Sequence, residues 1–150
     1  MPYFSVAFAR SDAGWIGTET DLTEVAGLDD ITDIMRETAV ETAGDTVLLL
    51  VEEEDEWFAV VRLDDGEDPR VFLSDPRAAL GSDLARMLHE QIGDVDEVPT
   101  DDPVGDAGLL SDLGTAPDKL TELGERTLPG DALSAIAERA GFAEEYDRLR

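Results

Sequence analysis

An α+β fold is the prediction for this chain, and three observations make it. Apolar residues alternate or run continuously over strand lengths in five segments before residue 90, and recur at helical spacing in two others. Three of the strand segments follow one another through short acidic turns, the pattern of an antiparallel meander. The 42% apolar fraction is enough to build a core although the formal net charge is -26 over 150 residues. The expected order is β-β-α-β-β-β-α: a mostly antiparallel five-stranded sheet with two helices on one side of it, then a small all-helical C-terminal module.

Residues 3–9 alternate, with Phe4, Val6 and Phe8 pointing one way and Tyr3, Ser5, Ala7 and Ala9 the other, which predicts a half-buried strand. Asp12-Ala13-Gly14 makes a turn, and Trp15-Ile16-Gly17 starts a short second strand. Asp29 or Asp30 is placed to cap a helix whose inner face is Leu28, Ile31, Ile34, Met35 and Thr38, with Gly44 ending it. Val47-Leu48-Leu49-Leu50-Val51 is continuously apolar, as expected of a central strand covered on both sides. Trp57 to Leu63 returns as its partner after the acidic turn Glu53 to Glu56. A second acidic turn, with Gly66 available for positive φ, leads into Arg70-Val71-Phe72-Leu73. Asp75-Pro76 then has the N-cap and N1 signature of a helix with Leu80, Leu84, Met87 and Leu88 inside; Ser82 is an alternative cap.

Residues 93–108 change character, with six acids, no base, and Pro99 and Pro103, and read as a self-repelling acidic linker. Short helical pieces follow. Leu109, Leu110 and Leu113 mark one or two turns, and Thr115-Ala116-Pro117-Asp118 reads as a capping box. Pro129 opens a helix through Ala140 that Gly141 ends, with Phe142 as its hydrophobic contact. The predicted organisation is an α+β domain over 1–92, a linker over 93–108 and a helical module over 109–150. The element order through residue 92 is also that of longin and roadblock-type domains, which are binding scaffolds.

Residues with the chemistry of catalysis are sparse. The lone His89, late in the second helix, lacks the partners of a catalytic triad and reads as a boundary side chain. There is no phosphate-binding glycine loop, no serine in G-x-S-x-G, and neither the H-x-E nor the P-C-x-x-C segment of a zinc deaminase. With no cysteine, disulfides and thiolate metal sites are excluded. The acidic turns 52–56 and 64–68 lack the spacing of a calcium loop and read as solvated. No enzyme activity, cofactor or metal is expected.

Charge excludes more. Thirty-seven acids against eleven bases repel a phosphate backbone, so direct nucleic-acid binding is not expected. Residues 109–150 carry nine acids and five bases, the wrong sign for a helix-turn-helix reader. No stretch has the length of a membrane span and the N-terminus is not a secretory signal, so a cytoplasmic location is expected.

Several segments together are similar to one family: Pro2-Tyr3-Phe4, Gly14-Trp15, Val47-Leu48-Leu49, Glu56-Trp57-Phe58-Ala59-Val60-Val61-Arg62, Pro69 through Asp75, Asp112-Leu113-Gly114, Leu128-Pro129, and Ala137-Glu138-Arg139-Ala140-Gly141-Phe142. The pattern resembles the actinobacterial tRNA adenosine deaminase-associated protein family over nearly the whole chain, the acidic linker excepted. In that family the association rests on gene neighbourhood, so the resemblance implies partnership with the deaminase and brings no catalytic residues with it. The expected function is a non-catalytic accessory or regulatory protein that binds another protein, the tRNA-editing adenosine deaminase. The acidic turn Glu53, Glu54, Asp55 and Glu56, with Arg139 and Phe142 of the C-terminal module, supplies the candidate partner-contact residues. The alternatives are an acidic nucleic-acid mimic that blocks a tRNA-binding enzyme, and a scaffold that homodimerises through a sheet edge.

Overall fold

A central antiparallel sheet lies between two layers of helices in the computed structural model, which describes residues 3–12, 14–20, 22, 25–53, 56–64, 67–92 and 103–149. The strands are β1 (Tyr3–Ser11), β2 (Gly14–Glu19), β3 (Thr46–Glu53), β4 (Trp57–Asp64), β5 (Arg70–Leu73) and β6 (Val104–Gly105). The helices are α1 (Leu28–Thr42), α2 (Asp83–Ile92), α3 (Pro117–Arg126), α4 (Pro129–Ala140) and α5 (Ala143–Leu149). The sheet order is β2-β1-β3-β4-β5-β6 and every neighbouring pair is antiparallel.

The sheet therefore has six strands, where the sequence predicts five. The sixth is the two-residue β6, which pairs Val104 with Leu73 and Gly105 with Phe72 inside the segment read as linker. Its acidic composition hides it, because backbone pairing along an existing edge needs no apolar pattern. Residues 93–102 of that segment, and Gly66 of the earlier turn, lie outside the described residues.

Strand alternation sends two different surfaces to the two sides of the sheet. On one side Ala7, Ala9, Val47, Leu49, Val51, Trp57, Ala59 and Val61 pack under Ile31 and Met35 of α1 and Leu84, Ala85 and Leu88 of α2. On the other, Val6, Phe8, Leu48, Leu50, Phe58, Val60 and Phe72 meet Leu109, Leu110, Leu120, Leu133, Ile136, Phe142 and Tyr146. The first strand is thus covered on both faces, not half-buried: Val6 through Ala9 have no exposed surface. The phenyl face that the sequence leaves to solvent or core is taken by helices more than 100 residues away. Phe8 stacks on Phe142 at 4.1 Å between ring centroids, and Trp15 lies 4.9 Å from the same ring. The segment 109–149 accordingly shares one apolar core with the sheet.

A charged clasp joins the same two parts. Arg62 of β4 is almost wholly buried. Its Nη1 and Nη2 donate to both carboxylate oxygens of Asp112, at 2.5 and 2.9 Å, and Nη1 also donates to the Leu109 carbonyl at 2.7 Å. Its Nε donates to Asp64 at 3.1 Å. A forked guanidinium pairing of this kind fixes orientation as well as distance. The hydrogen bonds from Arg62 hold the Asp112 carboxyl below the usual carboxylate range, and the bond to Asp112 raises the guanidinium's own value in return.

Helix ends depart from the sequence reading in four places. Gly27 is the N-cap of α1, while Asp29 and Asp30 sit in the first turn, where negative charge faces the positive helix end. That helix closes on Ala43, in the left-handed region at φ 55°, with Gly44 N–H donating to the Ala39 carbonyl at 3.0 Å. Asp75-Pro76 opens a 3₁₀ turn, Pro76–Leu80, and α2 starts only after Ser82, whose Oγ accepts from Ala85 N–H at 3.3 Å. Leu80 is consequently exposed, 77%, because the chain has not yet entered the helix that would turn it inward. Thr115 forms no capping box: α3 is capped at Ala116 without a side-chain bond, and the Thr115 hydroxyl is buried with no partner among the described residues. Gly141 and Phe142 close α4 as expected, at φ 98° with both N–H groups on the Ala137 carbonyl.

Candidate protein-docking cleft

The β3–β4 turn lies at one end of the sheet, opposite the end that holds Arg62 and Asp64. Its closing bond runs from Glu56 N–H to the Glu53 carbonyl at 2.9 Å. Glu53 is folded inward: its side chain is buried and Oε1 accepts from Trp57 Nε1 at 3.4 Å. Glu56 faces solvent, whereas Glu54 and Asp55 lie outside the described residues.

Two further segments converge on this turn. Phe58 N–H donates to Ser74 Oγ and Ser74 N–H to the Phe58 carbonyl, which anchors the exit of β5 beside β4. Asp75 then accepts from Arg77 three times, from its backbone N–H at 3.0 Å and from its guanidinium at 3.1 and 2.9 Å. Burial pushes the Asp75 carboxyl up, but the hydrogen bonds from Arg77 outweigh it and hold the group below the usual carboxylate range. From the other side comes the corner between α3 and α4. The result is an open cleft of about 370 Å³ with Glu56, Asp75, Arg77, Glu125 and Leu128 among its walls. Three carboxylates stand against one guanidinium, and that guanidinium is already paired with Asp75.

Leu128 is the residue that sequence reasoning missed. It occupies the N-cap position of α4 with no side-chain cap bond and is 63% exposed. The available signal was local: leucine is among the poorest N-cap residues, so a leucine just before a helix-starting proline neither caps nor packs. The cleft unites the sequence-predicted acidic turn, through Glu56, with the C-terminal helical segment. It does not take in the other two candidates. Arg139 stands at the far end of α4, about 15 Å of helix away, where Nη1 donates to the Gly114 carbonyl at 3.4 Å. Phe142 is wholly buried and presents no surface.

A larger cleft of about 480 Å³ lies between the C-terminal end of α1 and the β4–β5 turn, with Val40, Asp45, Glu67 and Asp68 on its walls. It involves residues of the first half of the chain alone. Among the described residues no three or more histidine or carboxylate side chains converge where a metal ion would sit. His89, in the last turn of α2, is half-buried away from both clefts. Among the same residues no helix is long and apolar enough to cross a membrane.

The chain is thus an antiparallel α+β protein of strongly negative charge, with a surface cleft lined by three carboxylates and an exposed leucine. The chain's own family is narrower. A model of the Rv3753c-like tRNA adenosine deaminase-associated protein family matches residues 3–143, and the chain belongs to that family. The family is described as associated with the deaminase, not as the deaminase. No curated protein and no solved structure matches the chain.

Proposed function

We propose that this protein is a non-catalytic accessory protein of the cytoplasm, that it binds the tRNA adenosine deaminase, and that the partner docks in the cleft between Glu56 and Leu128. Leu128 is the observation that supports this reading best: an apolar side chain 63% exposed in a cleft that Glu56, Asp75 and Glu125 also line. Interfaces of moderate affinity are built this way, with an apolar anchor that becomes fully desolvated and charged groups around it that steer and orient. A protein that binds tRNA presents the basic surface those carboxylates complement.

The test is co-purification of the deaminase with the tagged chain at low and at high salt, comparing wild type with Leu128→Asp. The wild-type chain retains the deaminase at low salt and less of it at high salt. The variant weakens binding about tenfold or more, as loss of an anchor does, while its melting temperature stays near wild type because Leu128 is outside the core. No association at any salt concentration would sink the proposal. Competition with tRNA for the deaminase would instead assign the chain to the nucleic-acid mimics.

A further inference from the structure

We propose that the free edge of β2 is a strand-accepting surface for an extended basic segment of another protein, distinct from the Leu128 cleft. Among the described residues β2 is the terminal strand of the sheet and pairs with β1 alone, from Glu19 opposite Val6 to Gly14 opposite Ser11, in unbroken register. Thr20 N–H donates to the Ser5 carbonyl. In an antiparallel ladder the direction of the backbone groups alternates, so Gly14, Ile16 and Thr18 also face β1. The N–H and C=O groups of Trp15, Gly17 and Glu19 point outward. Among the described residues nothing hydrogen-bonds to them.

Edges of this kind are normally protected by lysine, proline or a bulge. The β2 sequence Gly-Trp-Ile-Gly-Thr-Glu has no lysine and no proline, and its register shows no bulge. A second observation lies beside the edge. A cleft of about 270 Å³ opens between β2 and α5, walled by Trp15, Ile16, Gly17, Glu145, Arg148 and Leu149. Ile16, opposite Ala9 on the α1 side of the same edge, is 39% exposed. Strand addition requires both parts: an open ladder for the main chain and a recess for an alternate side chain. Gly17 leaves the strand without a side chain beside the cleft, and the Phe8 ring and Leu149 close on that position, where a Cβ would fall 2.7 and 2.8 Å from them.

Charge selects the occupant. A second copy would bring another net charge of -26 to strand-pairing distance, about 4.8 Å, and the two would repel. Asp12 and Glu19 stand at the two ends of β2 and Glu145 at the recess; Arg148 is engaged by Glu144 at 3.9 Å. An extended segment with one apolar residue between flanking lysines or arginines fits both the recess and the sign. The net charge thus does here what an edge lysine does elsewhere: it closes the edge to the chain itself and leaves it open to a basic strand.

The test uses the full chain, isotope-labelled, and a synthetic peptide with a central valine between two threonines and two lysines at each end. In the free protein the amides of Trp15, Gly17 and Glu19 exchange with solvent rapidly. On titration with the peptide, chemical-shift changes concentrate on β2 and α5 and those three amides exchange at least about fivefold more slowly, the protection one added hydrogen bond supplies. N-methylation of the peptide's central residues, or glutamate in place of its lysines, removes the effect without touching the protein's own folding. The proposal is overturned if the three amides are already protected in the free chain. It is also overturned if millimolar peptide leaves β2 unperturbed, or if the same amides become protected in a concentration-dependent dimer at high salt.

Discussion

The two faces of the sheet are built from different side chains and held by different means. Under α1 and α2 the sheet is lined mainly by alanines and aliphatics, Ala7, Ala9 and Ala59 among them, with Trp57 as its one aromatic. Their threonine hydroxyls turn back on their own backbone, Thr38 to the Ile34 carbonyl and Thr42 to that of Thr38. Under the C-terminal helices the sheet is lined by Phe8, Phe58 and Phe72, which meet Phe142 and Tyr146, and the Arg62 clasp crosses the same boundary. The aliphatic face joins elements that are neighbours in sequence. The aromatic face joins residues up to 142 positions apart, as between Phe4 and Tyr146. Closing so long a loop costs conformational entropy, and large rings with a directional ion pair offset it where small side chains would not.

The sharpest way to break this contrast is Phe142→Ala, which removes a wholly buried ring from the stack on Phe8. It is expected to cost about 3–5 kcal/mol, read by urea unfolding, and to raise proteolysis within 109–149 first. A smaller effect separates the clasp from the rings. Asp112→Asn at neutral pH is expected to cost roughly 1–2 kcal/mol, the worth of hydrogen bonds to a charged group reduced by solvent screening of a carboxylate that is more than half exposed. The Asp112 carboxyl is held below its ordinary value by Arg62. Its contribution is therefore complete above about pH 4 and lost as pH falls through the depressed folded value. Wild type should lose stability in that acid range by more than the Asn variant does, and equal acid losses would remove the clasp from the account.

On the aliphatic face the expected change is a gain. Ala43→Gly relieves a left-handed alanine at the end of α1 and should stabilise by about 0.5–1 kcal/mol, net of glycine's entropy. A gain of that size raises the melting temperature of a domain this long by roughly 1–4 °C. The smallest effect is Thr115→Val, which removes a buried hydroxyl without a described partner. It should be neutral to slightly stabilising, and a loss above about 1 kcal/mol would show that the hydroxyl is satisfied after all.

The same contrast explains what the sequence makes legible. The run Val47–Val51 announces a strand covered on both sides, and the structure covers it so. Trp57 to Val61 carries the same signal, yet read beside acidic turns it suggests only a partner strand. Its two covers, α1 and α4, lie on opposite sides of residues 93–108. Phe142 is legible as a helix-ending contact but not as the partner of Phe8, because nothing in local periodicity says which distant ring a buried ring will meet. β6 escapes for the opposite reason: two residues held by backbone bonds leave no side-chain pattern. At the cleft, Glu56 is legible from composition. Leu128 requires knowing that an N-cap leucine has nowhere to pack. Arg62, in a strand otherwise apolar, is the clue that the C-terminal segment would return to the sheet, since a buried guanidinium needs carboxylates brought to it.

The long separation between Phe8 and Phe142 also has a consequence during synthesis. When Leu73 leaves the ribosome the first five strands can pair and α1 can cover one side, but the phenyl-bearing side has no partner until Leu109 emerges and is not fully covered until Phe142 and Tyr146 follow. At ordinary elongation rates of about 5–20 residues per second, that interval lasts several seconds. For that time the nascent chain shows a hydrophobic sheet face to its surroundings. Its early excess of carboxylates, 22 acids to 6 bases over residues 1–92, keeps neighbouring nascent chains apart, so the acidity of the N-terminal part acts as a solubility tag for a half-made protein.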